Sequence, residues 1–346
     1  MSDHKKHIVL LTPGFPENEQ DSTCIPALQV YCRALLEIGH LITVITVHYP
    51  SQKRTYQWNG ITVYALGINN KMSHRLGGFY RHWKTLSTVH HKTPIDVLHS
   101  FWLGECAFIG HHFSERKKLK HLTTLMGQDA KEGNRYAKLL PLPKMNIVSL
   151  SEFQRQIFQK NYGKETPIIP WGISIEEMCD VSKKTIDILG VGSLISLKRY
   201  SDFIEACALI QKSRPNLKAV LVGEGELKSE LQNQISDLKL ENHIELIGNC
   251  SYEETMHLMA QAKVLLHPSE YESYGMIFAE AQAHRMFIVS QKVGITLESP
   301  FWAVGTKPEE FAAYCSDFLN HNALPTIKHL SISESVNAYQ KIYIES

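Results

Sequence analysis

Along most of the chain, short continuous apolar runs alternate with longer stretches whose apolar positions recur every three to four residues. The runs read as strands, the periodic stretches as amphipathic helices. In the first half the predicted strands are His7–Leu11, Leu41–Val47, Ile61–Ala65, Val97–Ser100, Leu122–Leu125 and Ile147–Leu150. Leu41–Val47 is continuous and rich in β-branched residues, as in a strand buried on both faces. Between them, Cys24–Ile38 places Ile25, Leu28, Cys32, Leu35 and Leu36 at helical spacing and stops at Gly39. Leu103–Phe113 and Glu152–Gln159 read as further helices.

Ile168-Ile169-Pro170-Trp171-Gly172 is a turn, and a second alternation starts beyond it. Its predicted strands are Ile186–Val191, Ala219–Val222, Ile244–Leu246, Val264–Leu266 and Phe287–Ser290. Its predicted helices are Tyr200–Lys212, Glu226–Leu238, Tyr252–Gln261 and Gly275–Ala283. Two successive runs of this kind predict two α/β domains, each a doubly wound parallel sheet, with residues 1–170 in one and 171–330 in the other. Right-handed crossovers put the loops that follow the strands on one edge of each sheet. Two such edges facing one another make a cleft. The 346-residue length agrees with two domains at roughly 100–200 residues each.

Charge sharpens the division. Residues 1–170 hold 21 Lys and Arg against 12 Asp and Glu, a net +9, and residues 171–346 hold 15 against 23, a net −8. The basic half suits an anionic acceptor or an anionic membrane face, while Arg116-Lys117-Lys118-Leu119-Lys120 reads equally as a solvated helix end. No nucleic-acid motif accompanies it. Seven scattered cysteines without a Cys-x-x-Cys pair predict reduced thiols in a cytoplasmic protein. No apolar run approaches the length of a membrane span.

The candidate chemistry gathers after two strands of the second half. Glu272-Ser-Tyr-Gly-Met-Ile-Phe-Ala-Glu280 follows the strand at Val264–Leu266, with Gly275 where a helix begins. A helix N-terminus between two carboxylates fits a ligand with both phosphate and hydroxyls, which points to a nucleotide-sugar. Solvated helix-start acids and a glycosidase carboxylate pair are the rival readings. Lys198 and Arg199 follow the strand at Ile186–Val191 through a loop containing Gly192, a plausible clamp for a leaving diphosphate. In the first half, Gly14 lies in the loop after the first strand, where Ser22 or Thr23 also reads as a helix cap. Gly127 and Asp129 close another strand and offer backbone and carboxylate to hydroxyls. His99, at a strand end, reads more readily as a packed residue than a catalyst. Asp-x-Asp, GxxxxGK[ST], GxSxG and HExxH are absent, which disfavours a carboxylate-held metal, P-loop or hydrolase chemistry.

Together these segments resemble the retaining glycosyltransferases of family 4, of GT-B architecture, over almost the whole chain and most strongly from Ile186 to Val289. The family's Glu-x7-Glu element matches Glu272 and Glu280, Ile169–Ile173 is similar to its interdomain Pro-x-Gly segment, and Gly39-His40 to its first helix end. The opening Pro-Gly-Phe-Pro resembles a bacterial polysaccharide-assembly subgroup. The resemblance implies that Glu280 binds the donor ribose, Glu272 lies near the donor sugar and Lys198 holds the diphosphate, with Arg199 beside it. It further implies that the backbone at Ser273, Tyr274 and Gly275 anchors phosphate, Gly248 and Asn249 border the base, and Gly127 and Asp129 face the acceptor. The last helix, 331–346, is expected to pack back on the first domain.

Four departures from the family pattern stand out: Ser193 for an arginine, Met126 for a histidine, Arg285 and Phe287 in place of Gly-x-Pro, and Val293-Gly294-Ile295-Thr296 for a longer glycine loop. The reading is a metal-independent, retaining hexosyl-type transferase without a cofactor. It takes a UDP- or GDP-sugar donor and a saccharide or lipid-linked acceptor, in surface polysaccharide or glycolipid assembly. It is cytoplasmic, with peripheral contact at the inner membrane face. The alternatives are a non-catalytic nucleotide-sugar-binding or scaffold subunit and a GT-B sugar-nucleotide epimerase.

Overall fold

The computed structural model describes residues 5–68, 75–174, 184–326 and 330–344. They fall into two compact units, Met1–Gly172 with Ile332–Ser346, and Ile173–Ser331.

In the first unit the chain runs β1 (His7–Gly14), α1 (Pro26–Glu37), β2 (Leu41–Tyr49), β3 (Arg54–Trp58), β4 (Ile61–Ala65), α2 (Arg75–Lys92), β5 (Val97–Phe101) and α3 (Glu105–Lys117). It continues through β6 (Lys120–Thr124), α4 (Arg135–Leu139), β7 (Asn146–Val148) and α5 (Glu152–Tyr162). The strands form one sheet in the order β3-β4-β2-β1-β5-β6-β7, parallel except for β3 against β4. The order reverses between β1 and β5, so the loops after these two strands flank the crevice that doubly wound sheets use for ligands.

Helix α1 starts at Pro26, two residues later than the apolar period predicts. Ile25 before it is left-handed (φ 50°) and so stands outside the helix, as a residue preceding proline is disfavoured in the helical region. Helix α2 was not legible in the periodicity. Its buried stripe is Gly78, His82, Leu86 and Val89, so two of the four inward positions carry no apolar side chain to reveal it.

The last helix of the chain, α11 (Ile332–Ile344), belongs to this unit and is held by a buried polar cluster. Tyr343 Oη hydrogen-bonds Tyr31 Oη (2.6 Å) and His99 Nδ1 (2.5 Å), and Thr124 Oγ1 bonds both His99 Nε2 (2.8 Å) and Tyr339 Oη (3.0 Å). Tyr31 stacks on Trp171 at 5.7 Å. His99 is thus a packed residue. Burial holds its imidazole neutral, well below the usual histidine range.

The second unit runs β8 (Ile186–Val191), α6 (Tyr200–Gln211), β9 (Ala219–Val222), α7 (Lys228–Asp237), β10 (Ile244–Gly248), α8 (Tyr252–Gln261) and β11 (Ala262–His267). It ends with α9 (Met276–Ala283), β12 (Phe287–Ser290), β13 (Trp302–Val304) and α10 (Pro308–Asn320). Its sheet is wholly parallel, in the order β10-β9-β8-β11-β12-β13. Its core lies between the sheet and α6, α7 and α10, around Phe203, Ile204, Leu221, Phe287 and Phe311. The order reverses between β8 and β11, which makes the loops after those strands neighbours.

Candidate functional site

Those two loops carry Lys198 and Glu272. After β8 the chain crosses Gly192 and Leu194 to a single 3-10 turn at Ser196–Lys198. After β11, Pro268–Gly275 leads into α9. Leu197 joins the two, its carbonyl accepting from the Glu270 amide (3.0 Å) and the Ser269 hydroxyl (3.3 Å). With the backbones tied there, the Lys198 ammonium forms an ion pair with Glu272 Oε1, both side chains more than four-fifths buried. His267, the last residue of β11, reaches the same oxygen through Nε2 at 2.7 Å.

Burial alone would raise the Glu272 carboxyl, but the His267 hydrogen bond and the Lys198 charge outweigh it and hold it at about 2. Burial lowers His267, against the opposing pull of Glu272. Near neutral pH the group is a cation, a carboxylate and a neutral imidazole. Glu272 is therefore an oriented charge, not a base poised to take a proton.

The backbone around the pair is specialised. Gly275 is left-handed (φ 81°) at the start of α9, and a Cβ there would lie 2.6 Å from Phe278. The N-cap residue, Gly275, has no side chain to cap that helix end, and the positive end of the helix dipole lies beyond it. Gly294 is also left-handed (φ 60°), and a Cβ there would stand 2.2 Å from the Tyr274 carbonyl, which accepts from the Ile295 amide at 2.9 Å. The shortened segment Val293–Thr296 thus folds directly onto the loop that carries Glu272. Thr296 closes it by hydrogen-bonding the Gln291 carbonyl (3.1 Å) and the Val293 amide (3.0 Å).

Glu280 is buried on α9, one helical turn and more from Gly275. Ser273 is half-buried and Tyr274 buried. Gly248 is left-handed (φ 80°), packs beside the Glu224 carboxylate, and precedes exposed Asn249. Its carbonyl accepts from Gly223 (2.8 Å), while Gly192 donates to Val222 (3.0 Å), so the ends of β8, β9 and β10 are laced together. Arg199 follows Lys198 but its guanidinium turns to Asp202 (2.5 Å) and Glu270 (3.8 Å). Ser193 is exposed.

In the first unit, Asp129 does something the sequence did not announce. Its carboxylate accepts from the amides of Gly127 (2.7 Å), Leu103 (2.8 Å) and Met126 (3.2 Å), tying the loop after β5 to the loop after β6. Its oxygens are thereby engaged first by backbone. Burial raises this carboxyl, with the three amides opposing. Gly14 ends β1 beneath Cys24, and Asp21 organises the loop beyond by accepting from Tyr49 Oη (2.9 Å) and Thr23 (3.1 Å). Thr23 therefore caps no helix.

Residues 178–323 match the family model described as glycosyl transferases group 1. A glycosyltransferase from Rickettsia africae superposes on 99% of the chain, with 98% of its own length covered, at a TM-score of 0.76 and 18% identity. The fold is GT-B. Anabaena HepE, crystallised with UDP-glucose, shares this GT-B fold at a TM-score of 0.71 and 16% identity, over 98% of this chain and 95% of its own. Among curated relatives, the phosphatidylinositol N-acetylglucosaminyltransferase gpi3 subunit of Schizosaccharomyces pombe is 20% identical over 326 residues, 87% of this chain and 71% of that protein. The chain spans between 57% and 71% of the lengths of the first curated relatives it matches. No helix among the described residues is long and apolar enough to cross a membrane.

The residue that sequence reasoning missed at this GT-B site is His267. It lies in the run Leu-His-Pro-Ser, five positions before Glu272, and only the sharp loop between them makes them partners.

Proposed function

We propose that the protein transfers a sugar from a nucleoside-diphosphate sugar to a hydroxyl acceptor, with retention of configuration. The observation that carries the proposal is the meeting of Lys198 and Glu272 at the reversal of strand order in the second unit, beside the N-terminus of α9. A cation and a helix N-terminus are suited to a diphosphate, whose charge grows as the glycosidic bond breaks. In this reading Lys198 exchanges its carboxylate partner for the diphosphate, and Glu272 faces the hydroxyls of the donor sugar. The ribose is taken by Glu280, and the base lies along Gly248–Asn249. The backbone of Ser273–Gly275 approaches the phosphates. Lys198 and the dipole of α9 supply the positive charge without a metal. The first unit, with its excess of basic residues, takes a saccharide or lipid-linked acceptor and rests against an anionic membrane face.

UDP-sugars are the first donors to test, because HepE is described in complex with UDP-glucose and the gpi3 subunit by its transfer of N-acetylglucosamine to phosphatidylinositol. The experiment is donor hydrolysis and transfer with UDP- and GDP-sugars, alongside thermal shift with UDP and GDP, since ligand binding raises stability by RT ln(1 + [L]/Kd). Turnover that Lys198→Ala abolishes supports the proposal. Nucleotide binding with no turnover for any donor and acceptor would instead favour a non-catalytic nucleotide-sugar-binding subunit, a reading motivated by exposed Ser193, where the resemblance leads one to expect an arginine.

A further inference from the structure

Both protein contacts of the Glu272 carboxylate fall on one oxygen. Lys198 Nζ and His267 Nε2 meet at Oε1, while Oε2 accepts no hydrogen bond among the described residues. The carboxylate is therefore divided into an anchored oxygen and a presented one.

His267 is built to do the anchoring. It is 1% exposed, ends β11 between the paired strands β8 and β12, and lies edge-on to Phe278 at 5.3 Å. Its Nδ1 is buried and has no hydrogen-bond partner among the described residues. A proton on Nδ1 would be an unpaired buried donor, whereas a proton on Nε2 points at a carboxylate. A doubly protonated ring would add that same unpaired donor and a second positive charge beside Lys198. The arrangement thus selects the neutral Nε2–H tautomer. The loop holds the geometry from outside, since Ser269 bridges to the Tyr271 carbonyl (3.1 Å) and a Cβ on Gly294 would lie 3.2 Å from that of Glu272.

We infer that His267 is a positioning residue: as a neutral Nε2–H donor it fixes Glu272 through Oε1 and so aims Oε2 at the hydroxyls of the donor sugar. This rests on the proposed glycosyl transfer and adds to it a residue that touches neither substrate. It also accounts for a carboxylate that keeps its orientation when Lys198 leaves it for a diphosphate, because the imidazole bond remains.

The test uses the full chain with His267→Leu and His267→Gln, the amide of the latter replacing the Nε2–H donor. Expected for His267→Leu is a fall in kcat on the order of 100-fold from a loosened carboxylate, with the dissociation constant for UDP changed by less than about threefold, because the nucleotide alone does not use Glu272. His267→Gln should recover most of the lost kcat. Unchanged kcat in His267→Leu overturns the inference, and so does an equal loss of UDP affinity, which marks a merely structural role. Should the wild-type chain turn over no donor, the transferase reading fails and the ring itself decides: long-range nitrogen-15 NMR of His267 at pH 7 should show the neutral Nε2–H form, with a shift that moves in Glu272→Gln. An Nδ1–H or charged ring overturns the assignment whatever the activity.

Discussion

Lowering the pH from 7.5 to 5 should destabilise the first unit, through histidines buried as neutral rings. His82 is fully buried and His121 nearly so, and burial first, then a neighbouring histidine in each case, lowers both from about 6.5 to about 3. His99 is lowered in the same direction. Because the folded-state values lie below the unfolded ones, the unfolded chain takes up protons first as pH falls. Stability is complete above about pH 6.5 and is lost progressively from there towards about 3. At pH 5 each of His82 and His121 removes about 2 kcal/mol, so the two together remove about 4 kcal/mol, a large part of a typical domain's 5–15 kcal/mol. Few carboxylates confuse this window. Glu272, at about 2, contributes its loss only below the ordinary glutamate range. The assay is urea denaturation at pH 7.5, 6 and 5 followed by tryptophan fluorescence, which reports mainly on the first unit because Trp58, Trp83, Trp102 and Trp171 lie there and only Trp302 lies in the second. His82→Leu is the decisive control. Neither ring nitrogen of His82 has a partner among the described residues, so an apolar replacement should be neutral or stabilising at pH 7.5 and should remove about 2 kcal/mol of the loss at pH 5. A stability that stays flat from pH 7.5 to 5, or a His82→Leu variant with the full wild-type slope, would refute the reasoning.

Three further outcomes are expected. Tyr343→Phe removes the hydroxyl shared by Tyr31 and His99, leaves both buried partners unsatisfied, and should cost about 1–3 kcal/mol in the same fluorescence-monitored denaturation. Gly294→Ala forces a Cβ against the Tyr274 carbonyl at a left-handed position; it should cost about 1–3 kcal/mol by denaturation and weaken UDP binding in calorimetry by disturbing the Glu272 loop. Asp129→Ala releases three amides that tie two loops of the first unit, and should lower stability by about 3 kcal/mol while the affinity for UDP, read by calorimetry, stays unchanged.

Much of this was legible because strand and helix leave different periods in the sequence. The buried parallel strands β1, β2, β8 and β11 showed as continuous apolar runs, and Gly39 ended α1 through chemistry that is local to a few residues. Helix α2 was not legible because a glycine and a histidine stand on its inward face, whereas α10 carries a helical period in its inward Phe311, Cys315 and Phe318. Strand β3 is largely exposed and polar, so no apolar run marks it, and β13 is only three residues long.

The candidate site divides in the same way. The sequence by itself determined that two parallel-sheet α/β domains form, that Lys198 follows one strand of the second and Glu272 another, and that a glycine starts the helix between Glu272 and Glu280. These depend on order and spacing along the chain. Only the tertiary structure decided which side chains meet. The reversal of strand order between β8 and β11 brings Lys198 and Glu272, 74 positions apart, to one oxygen atom. It turns Arg199 away to Asp202, closes Asp129 onto its own backbone, and makes buried His267 the partner of Glu272. Hydrogen bonds and ion pairs act over about 3 Å, and distances on that scale are set by how the sheet folds the chain back on itself, not by where residues stand along it.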